Sequence, residues 1–436
     1  MKSKFQINKE LIILSVCSLF TINSFAQDYQ SNVCTPKGNS VVAFIMEESL
    51  ENTRAYYDSV YALNYPNAIQ IPTYDGYSST RKFNCHGYAW HISDGGSDRW
   101  IGYGYPYDND PEYGYWQDAS YIEVAQRTYP GKVNWSSGDH SAITTENPDI
   151  LISKWNEYPL MKHEWDDSPY GTSNLKYYKL NFSISGPDLV CNSNTTFTLS
   201  PTPGGATNWT KSSNLSFIGD DSGTSVIVKT VSSSTSGNGG LYANFTSGCG
   251  TSFVVNKTVW AGVPAINEIS GPEYTPNYQW ATYYAQPNNA QMAATNYEWI
   301  LNPLNGNSVY DYGWTADIAF YNSGYYQVVT RAQNTCGWSS YAVLGVEVYD
   351  SKSLSFSPNP SSGETTITIE STNKKELLVS EWDFEIYTQT QVLKAKKNRL
   401  KGNSTVINTA GWKEGVYVVR VLYNNEVITG KLIVKR

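Results

Sequence analysis

Ile-Ser-Gly-Pro occurs twice in this chain, at Ile184–Pro187 and again 85 residues later at Ile269–Pro272. Two further motifs recur at nearly the same interval. Ala-Thr-Asn with a following Trp appears at Ala206–Trp209 and Ala294–Trp299, and Cys-Gly at Cys249–Gly250 and Cys336–Gly337. Self-similarity at a fixed period marks repeated structural modules. Both stretches consist of short apolar/polar alternations between turn residues. Two tandem β-sandwiches are therefore expected, over residues 182–263 and 264–350. A chain of 436 residues is too long for one core, so the segments on either side must fold separately.

The rest of the composition agrees with a mostly β protein. There are 35 Tyr, 14 Trp, 33 Gly and 19 Pro, but only 4 Met and 4 His. A net charge of −8 and a pI near 5.2 exclude phosphate-backbone binding as the main activity, so no nucleic-acid partner is expected. The N-terminus has the anatomy of a secretory signal over residues 1–26: a basic start, the apolar run LIILSVCSLF, and Ser24-Phe25-Ala26 before the cut. That run is too short to span a bilayer, and no later stretch is apolar enough, so the mature chain is expected to have no transmembrane segment. Export leaves five cysteines in an oxidising compartment: Cys34, Cys85, Cys191, Cys249 and Cys336. The odd number requires at least one that is free or paired with another molecule.

The ISGP…C…W…CG layout of the repeats resembles PKD/Ig-like modules of secreted bacterial surface proteins. That resemblance implies a Cys191–Cys249 disulfide packed on Trp209. It leaves Cys336 without an obvious partner, Cys34 being one candidate. From Ser351 onward Lys and Arg outnumber Asp and Glu by 13 to 8, which marks a boundary. This segment, 351–436, opens with Phe356-Ser357-Pro358-Asn359-Pro360 and Gly363. It continues to Gly415-Val416-Tyr417 and the basic strand Gly430–Lys435. Over its whole length it resembles the type A sorting domain of the type IX secretion system. The resemblance implies that the secretion machinery is a partner through residues 351–436, and that the chain is released or held at the outer cell surface. Period-two strands and the turn Tyr423-Asn424-Asn425-Glu426 independently predict a small antiparallel sandwich.

Chemistry is confined to the first domain, residues 27–181. All four histidines, His86, His91, His140 and His163, lie there together with Cys85. Apolar positions at helical spacing predict a helix over residues 41–63. Short strands follow in YIEVAQ, KVNW, HSAITT and DILISKW, which makes the domain α+β. In Asn84-Cys85-His86-Gly87-Tyr88-Ala89-Trp90, Asn84 can cap a short buried helix with Cys85 in its first turn, and Gly87 permits close approach of another backbone. Gly138-Asp139-His140-Ser141 places His140 at the start of a strand. His86 and His91, five apart, do not share a helical face, so neither a metal nor a cofactor is expected. His163 reads as the anchor of a loop. The Tyr-rich stretch Trp100–Tyr115 reads as a surface loop or a platform for sugars, and Asp108, Asp110 and Glu112 lack a recognised calcium-loop pattern.

The two short motifs around Cys85 and His140 resemble the papain-like NlpC and CHAP hydrolases. The resemblance implies Cys85 as nucleophile, His140 as base, and a polar residue on the next strand to orient the imidazole. Ser153, Asn156 and His163 compete for the third role, with Asn156 favoured. Two readings follow: a thiol peptidase or amidase acting on peptide or cell-wall amide bonds, or a non-catalytic surface adhesin or glycan binder. A disulfide from Cys85 to Cys34 would remove the first.

Overall fold

The computed structural model describes residues 28–102, 111–135, 140–171, 174–371 and 380–436. The signal segment 1–26, Asp108, Asp110, Gly138 and Asp139 lie outside the described residues.

In the first domain the expected helix begins ten residues late. Val41 and Ala43–Ile45 are β structure, pairing with Val33 and with Trp100–Ile101, and only α1 (Glu51–Asn64) is helical. A run of β-branched and aromatic residues, VVAFI, favours a pleated surface, while Glu51 opens the helix with a negative charge at its N-terminus. α2 (Cys85–Trp90) is the short buried helix expected from its sequence. A seven-stranded antiparallel sheet follows. It comprises β1 (Ile69–Gln70), β2 (Tyr121–Val124), β3 (Lys132–Trp135), β4 (Ser141–Thr144), β5 (Ile150–Lys154), β6 (Leu160–Glu164) and β7 (Leu175–Leu180). Their spatial order is β1-β6-β5-β4-β3-β7-β2. One face carries Val133, Trp135, Ala142 and Leu151, packed with Tyr170 and Leu175. The other receives α2, whose Trp90 packs with Ile143, Tyr121 and Tyr178.

The two repeats fold with one topology. In the first, strands 183–185, 195–200, 225–230 and 215–217 form one sheet, and 189–190, 252–261, 238–246 and 207–211 the other. In the second, the corresponding strands are 268–270, 279–286, 315–320 and 308–311, facing 274–276, 342–349, 324–334 and 296–302. In both, the second sheet begins with a parallel pair, Leu189↔Trp260 and Tyr274↔Glu347. These are Ig-like sandwiches.

The recurring motifs now have physical causes. A Cβ on Gly186 would stand 2.3 Å from the Phe197 ring, and one on Gly271 2.3 Å from the Tyr283 ring, so each ISGP glycine lets the chain cross a core aromatic. Trp209 and Trp299 fill equivalent core sites, and their indole N–H groups donate to Gly223 O and Gly313 O, each at 2.8 Å. Both polar tips are thereby satisfied inside an apolar core.

The cysteines pair otherwise than the Ig-like layout implied. Cys34 bonds Cys249 and Cys191 bonds Cys336, leaving Cys85 free. Each Cys-Gly turn therefore reaches back to the unit before it rather than across its own core. In the first sandwich that core closes on Phe197, Trp209 and Phe245 without a cystine. The junctions are close. Gly204 N–H donates to Pro36 O at 3.0 Å, and Trp260 of the first sandwich is buried in the core of the second.

The last unit is a small sandwich. Strands 353–357, 364–370 and 404–408 face strands 393–400, 382–388, 415–423 and 426–434. Its final hairpin pairs Tyr423 with Glu426 through Asn424 and Asn425 at φ 47° and 63°, as that turn chemistry predicts.

Candidate active site around Cys85

Asn84 fixes the start of α2. Its Oδ1 accepts the Gly87 N–H at 2.8 Å and the Ile101 N–H at 3.2 Å, while Nδ2 donates to Ile101 O at 2.7 Å. A Cβ on Gly87 would come within 2.0 Å of Arg99 O, so glycine alone lets the neighbouring strand lie this close. Cys85 is buried directly after the cap. Burial pushes its thiol up to about 12, opposed by the Ser141 amide, which hydrogen-bonds the sulfur. At neutral pH the group is a protonated thiol.

Beside it lies a network that the sequence motifs did not single out. Ser141 Oγ accepts from Trp90 Nε1 at 2.9 Å and from Asn134 Nδ2 at 3.3 Å, and lies 2.9 Å from His86 Nδ1. Glu112, expected in a solvent-facing loop, is instead buried, with Oε1 3.4 Å from the same nitrogen. Tyr115, at the end of the Tyr-rich stretch, is also core, packed on Trp90.

His140 differs from the expectation in direction. Adjacent residues of a strand face opposite sides of a sheet. Ser141 turns toward α2, and His140 turns toward the other face, stacked on Tyr170 with centroids 3.4 Å apart and edge-on to Trp135 at 4.5 Å. Neither ring nitrogen has a hydrogen-bond partner among the described residues. The ring is therefore not hydrogen-bonded to Cys85, although the backbone joining it to Ser141 touches the sulfur. Burial, followed by the charges of His86 and His163, holds it well below the usual histidine range, so it is neutral.

Asn156 does not orient that ring. It is exposed in the β5–β6 turn at φ 58°, and its carbonyl accepts Lys154 Nζ at 2.6 Å. Left-handed backbone suits Asn at a turn, which is the role the residue plays. The buried polar pair in this region is Ser153 Oγ and His163 Nε2, 2.8 Å apart, with Trp155 Nε1 donating to the same hydroxyl. His163 stands on β6 and not in a loop. Its Nδ1 donates to Glu164 O at 2.6 Å, so both nitrogens are satisfied.

Lys154 is fully buried under Cys85. Its ammonium donates to the carbonyls of Thr80 at 2.9 Å, Asn156 and Tyr158, with the Phe83 ring 5.5 Å away, while burial pushes it down to about 7. Among the described residues no group of three or more His, Cys, Asp or Glu side chains could hold a metal ion.

The comparisons with known proteins bear on the other end of the chain. The model of a secretion-system C-terminal sorting domain matches residues 355–435. The chain ends in a type IX secretion sorting domain. That domain engages the secretion machinery and directs the chain to the outer cell surface or the extracellular space. No helix among the described residues is long and apolar enough to cross a membrane.

No curated relative matches the chain. Solved structures that resemble it include the FN1–FN3 domains of chicken CNTN1, at 11% identity and TM-score 0.24, covering 58% of this chain and 98% of that one. Three N-terminal domains of the bacteriophage RB49 outer capsid protein Hoc give 11% and 0.26, covering 58% and 97%. The Bacteroides ovatus protein SGBP-B, solved with a mixed-linkage heptasaccharide, gives 12% and 0.16, covering 57% and 65%. At these scores the likenesses carry no argument about activity.

Proposed function

We propose that the exported chain is a papain-like thiol hydrolase, with the domain of residues 27–181 cleaving peptide or cell-wall amide bonds through Cys85. The observation that carries this reading is selective: of the five cysteines after the signal segment, four are tied in cystines and Cys85 alone keeps its thiol. Secreted chains lose free thiols readily, so one shielded at a capped helix start calls for a reason. One residue from the amide that touches its sulfur stands a neutral imidazole whose two nitrogens have no hydrogen-bond partner among the described residues.

The chemistry needs no resting ion pair. His140 accepts the thiol proton as sulfur attacks the carbonyl carbon. The C–N bond breaks, and the amine leaves with that proton. Water, deprotonated by the same imidazole, then hydrolyses the thioester. For this the ring must leave Tyr170 and swing from the opposite face of the sheet to the sulfur when substrate binds. In place of Asn156, Tyr170 and Trp135 hold the ring at rest. The deciding experiment compares full-length protein with Cys85→Ala and His140→Gln on peptidoglycan stem peptides and a casein digest, scoring released amines. Activity should disappear in both variants; amidase activity persisting in Cys85→Ala ends the proposal.

The second reading, a non-catalytic surface binder, is favoured by a different observation, the aromatic face of the second sandwich.

A further inference from the structure

The outer face of the second sandwich carries large rings that its twin lacks. On strand 279–286 the inward residues Ala281, Tyr283 and Ala285 are buried, whereas Trp280 is 58% and Tyr284 38% exposed. Across the sheet Tyr310 is 46%, Tyr312 63% and Trp314 39% exposed. The rings are paired. Trp280, paired with the small Ala319, stands 5.1 Å from Tyr310, and Tyr284 and Trp314 are 5.5 Å apart at the other end. Between the pairs Thr282 Oγ1 donates to Asp317 Oδ1 at 2.7 Å. Trp280 and Tyr284 are four strand residues apart, about 13 Å.

The first sandwich provides an internal control. Its topology is the same, and by register Asn194, Thr196 and Thr198 hold the places of Trp280, Thr282 and Tyr284. Opposite them stand Ser225, Ile227 and Lys229. The fold therefore does not require rings on this face. Contiguous exposed apolar surface bordered by polar groups marks a binding site.

We infer that this face binds an uncharged, extended polysaccharide, whose sugar rings stack on Trp280–Tyr310 at one end and Tyr284–Trp314 at the other while Thr282 and Asp317 bond hydroxyls between them. The charge of the face selects among occupants. The charged side chains of its strands are Glu268, Asp311 and Asp317, all acidic, and no Lys or Arg stands on them. Anionic polymers, nucleic acid included, are disfavoured. A peptide adds to a sheet through an open edge or settles in a groove. This is neither, but the outer face of a sheet set with exposed rings, which suits the apolar faces of sugars. The roughly 13 Å of strand between Trp280 and Tyr284 exceeds one sugar ring, so the ligand is an oligomer.

The test is affinity electrophoresis of the full-length protein through gels holding mixed-linkage β-glucan, xylan, galactomannan, amylose or alginate. Retardation by at least one neutral polymer is expected. Trp280→Ala and Tyr284→Ala should each weaken it about 10-fold or more, as loss of an aromatic anchor does, and Thr198→Ala on the first sandwich should not. Cys85→Ala should bind like the parent, which separates this site from the proposed hydrolase. Retardation by none of the neutral polymers, by alginate alone, or undiminished from the parent in both ring variants would overturn the inference. Circular dichroism of the variants guards against misfolding, and Trp280→Phe, which keeps a ring, should retain most of the binding.

Discussion

The burial of Cys85 makes a quantitative prediction about its reactivity. A thiol moved from 9.0 to about 12 holds about 1,000-fold less thiolate at neutral pH than an ordinary cysteine. Iodoacetamide reacts with the thiolate, so the labelling rate reports that fraction together with access. In protein lacking residues 1–26, kept unreduced, exactly one thiol per chain should label once the chain is unfolded in urea. At pH 7.5 the native rate should be slower by about 1,000-fold or more. It should climb about tenfold per pH unit with no plateau below about pH 11. Mass spectrometry of the peptide containing Cys85, sampled over time, gives both rates. A native rate within tenfold of the unfolded one, or a plateau near pH 7, would mean that the Ser141 amide and the Lys154 ammonium outweigh desolvation, and the argument for a protonated resting thiol would fail. Catalysis, in that case, would begin from an ion pair instead of by general-base activation.

Three buried histidines should make the first domain acid-labile. Burial pushes His91 to about 4 and holds His140 and His163 below the usual 6.5. The unfolded chain therefore takes up protons below about pH 6.5 that the folded one refuses, so stability falls as pH drops, by about 1.4 kcal/mol per pH unit for each ring until its folded pKa is reached. Tryptophan fluorescence melts at pH 7.5 and pH 5 check this, and an unchanged or higher Tm at pH 5 contradicts it. Gly186→Ala and Gly271→Ala each drive a Cβ into a core ring and should destabilise their sandwiches by about 1–3 kcal/mol. Urea unfolding should find the former worse, because Gly186 also sits at φ 148°. Asn84→Ala removes the acceptor that caps α2 and should cost the first domain about 1–2 kcal/mol, and Asn84→Asp, which keeps that acceptor but buries a charge and sets an oxygen against Ile101 O in place of the Nδ2 donor, should cost at least as much.

What the sequence made legible was local. Asn84 and Gly87 announce a capped helix and a close backbone contact through side-chain chemistry that operates within a few residues. The pair Asn424-Asn425 names its turn for the same reason. Alternation located β2 to β5, and repetition located both sandwiches. The misreadings concern relations between distant residues. Apolar spacing over residues 41–50 fits a helix as well as a strand, and pairing with Val33 and Trp100–Ile101 decided between them. His140 was placed at the correct strand end, but which face its ring occupies follows from the register with Trp135. The third polar residue was sought at Asn156, where the chain in fact turns, while the buried polar pair is Ser153 with His163. The rings at 280–314 do carry a signal in the sequence: Trp280, Thr282 and Tyr284 alternate with inward Ala281, Tyr283 and Ala285, and so place large aromatics on the solvent side.

The two cystines that reach back across unit boundaries also govern how far the molecule can be stretched. A surface-held protein that grips a polymer is pulled from both ends by flow. Were the sandwiches to unravel, the 302 residues from Cys34 to Cys336 would pay out about 1,000 Å of slack. With Cys34–Cys249 and Cys191–Cys336 intact, the shortest covalent route runs through only the 58 residues between Cys191 and Cys249, about 200 Å. The cross-links thus act as a tether stop, keeping the first domain near the second sandwich even when the module between them gives way.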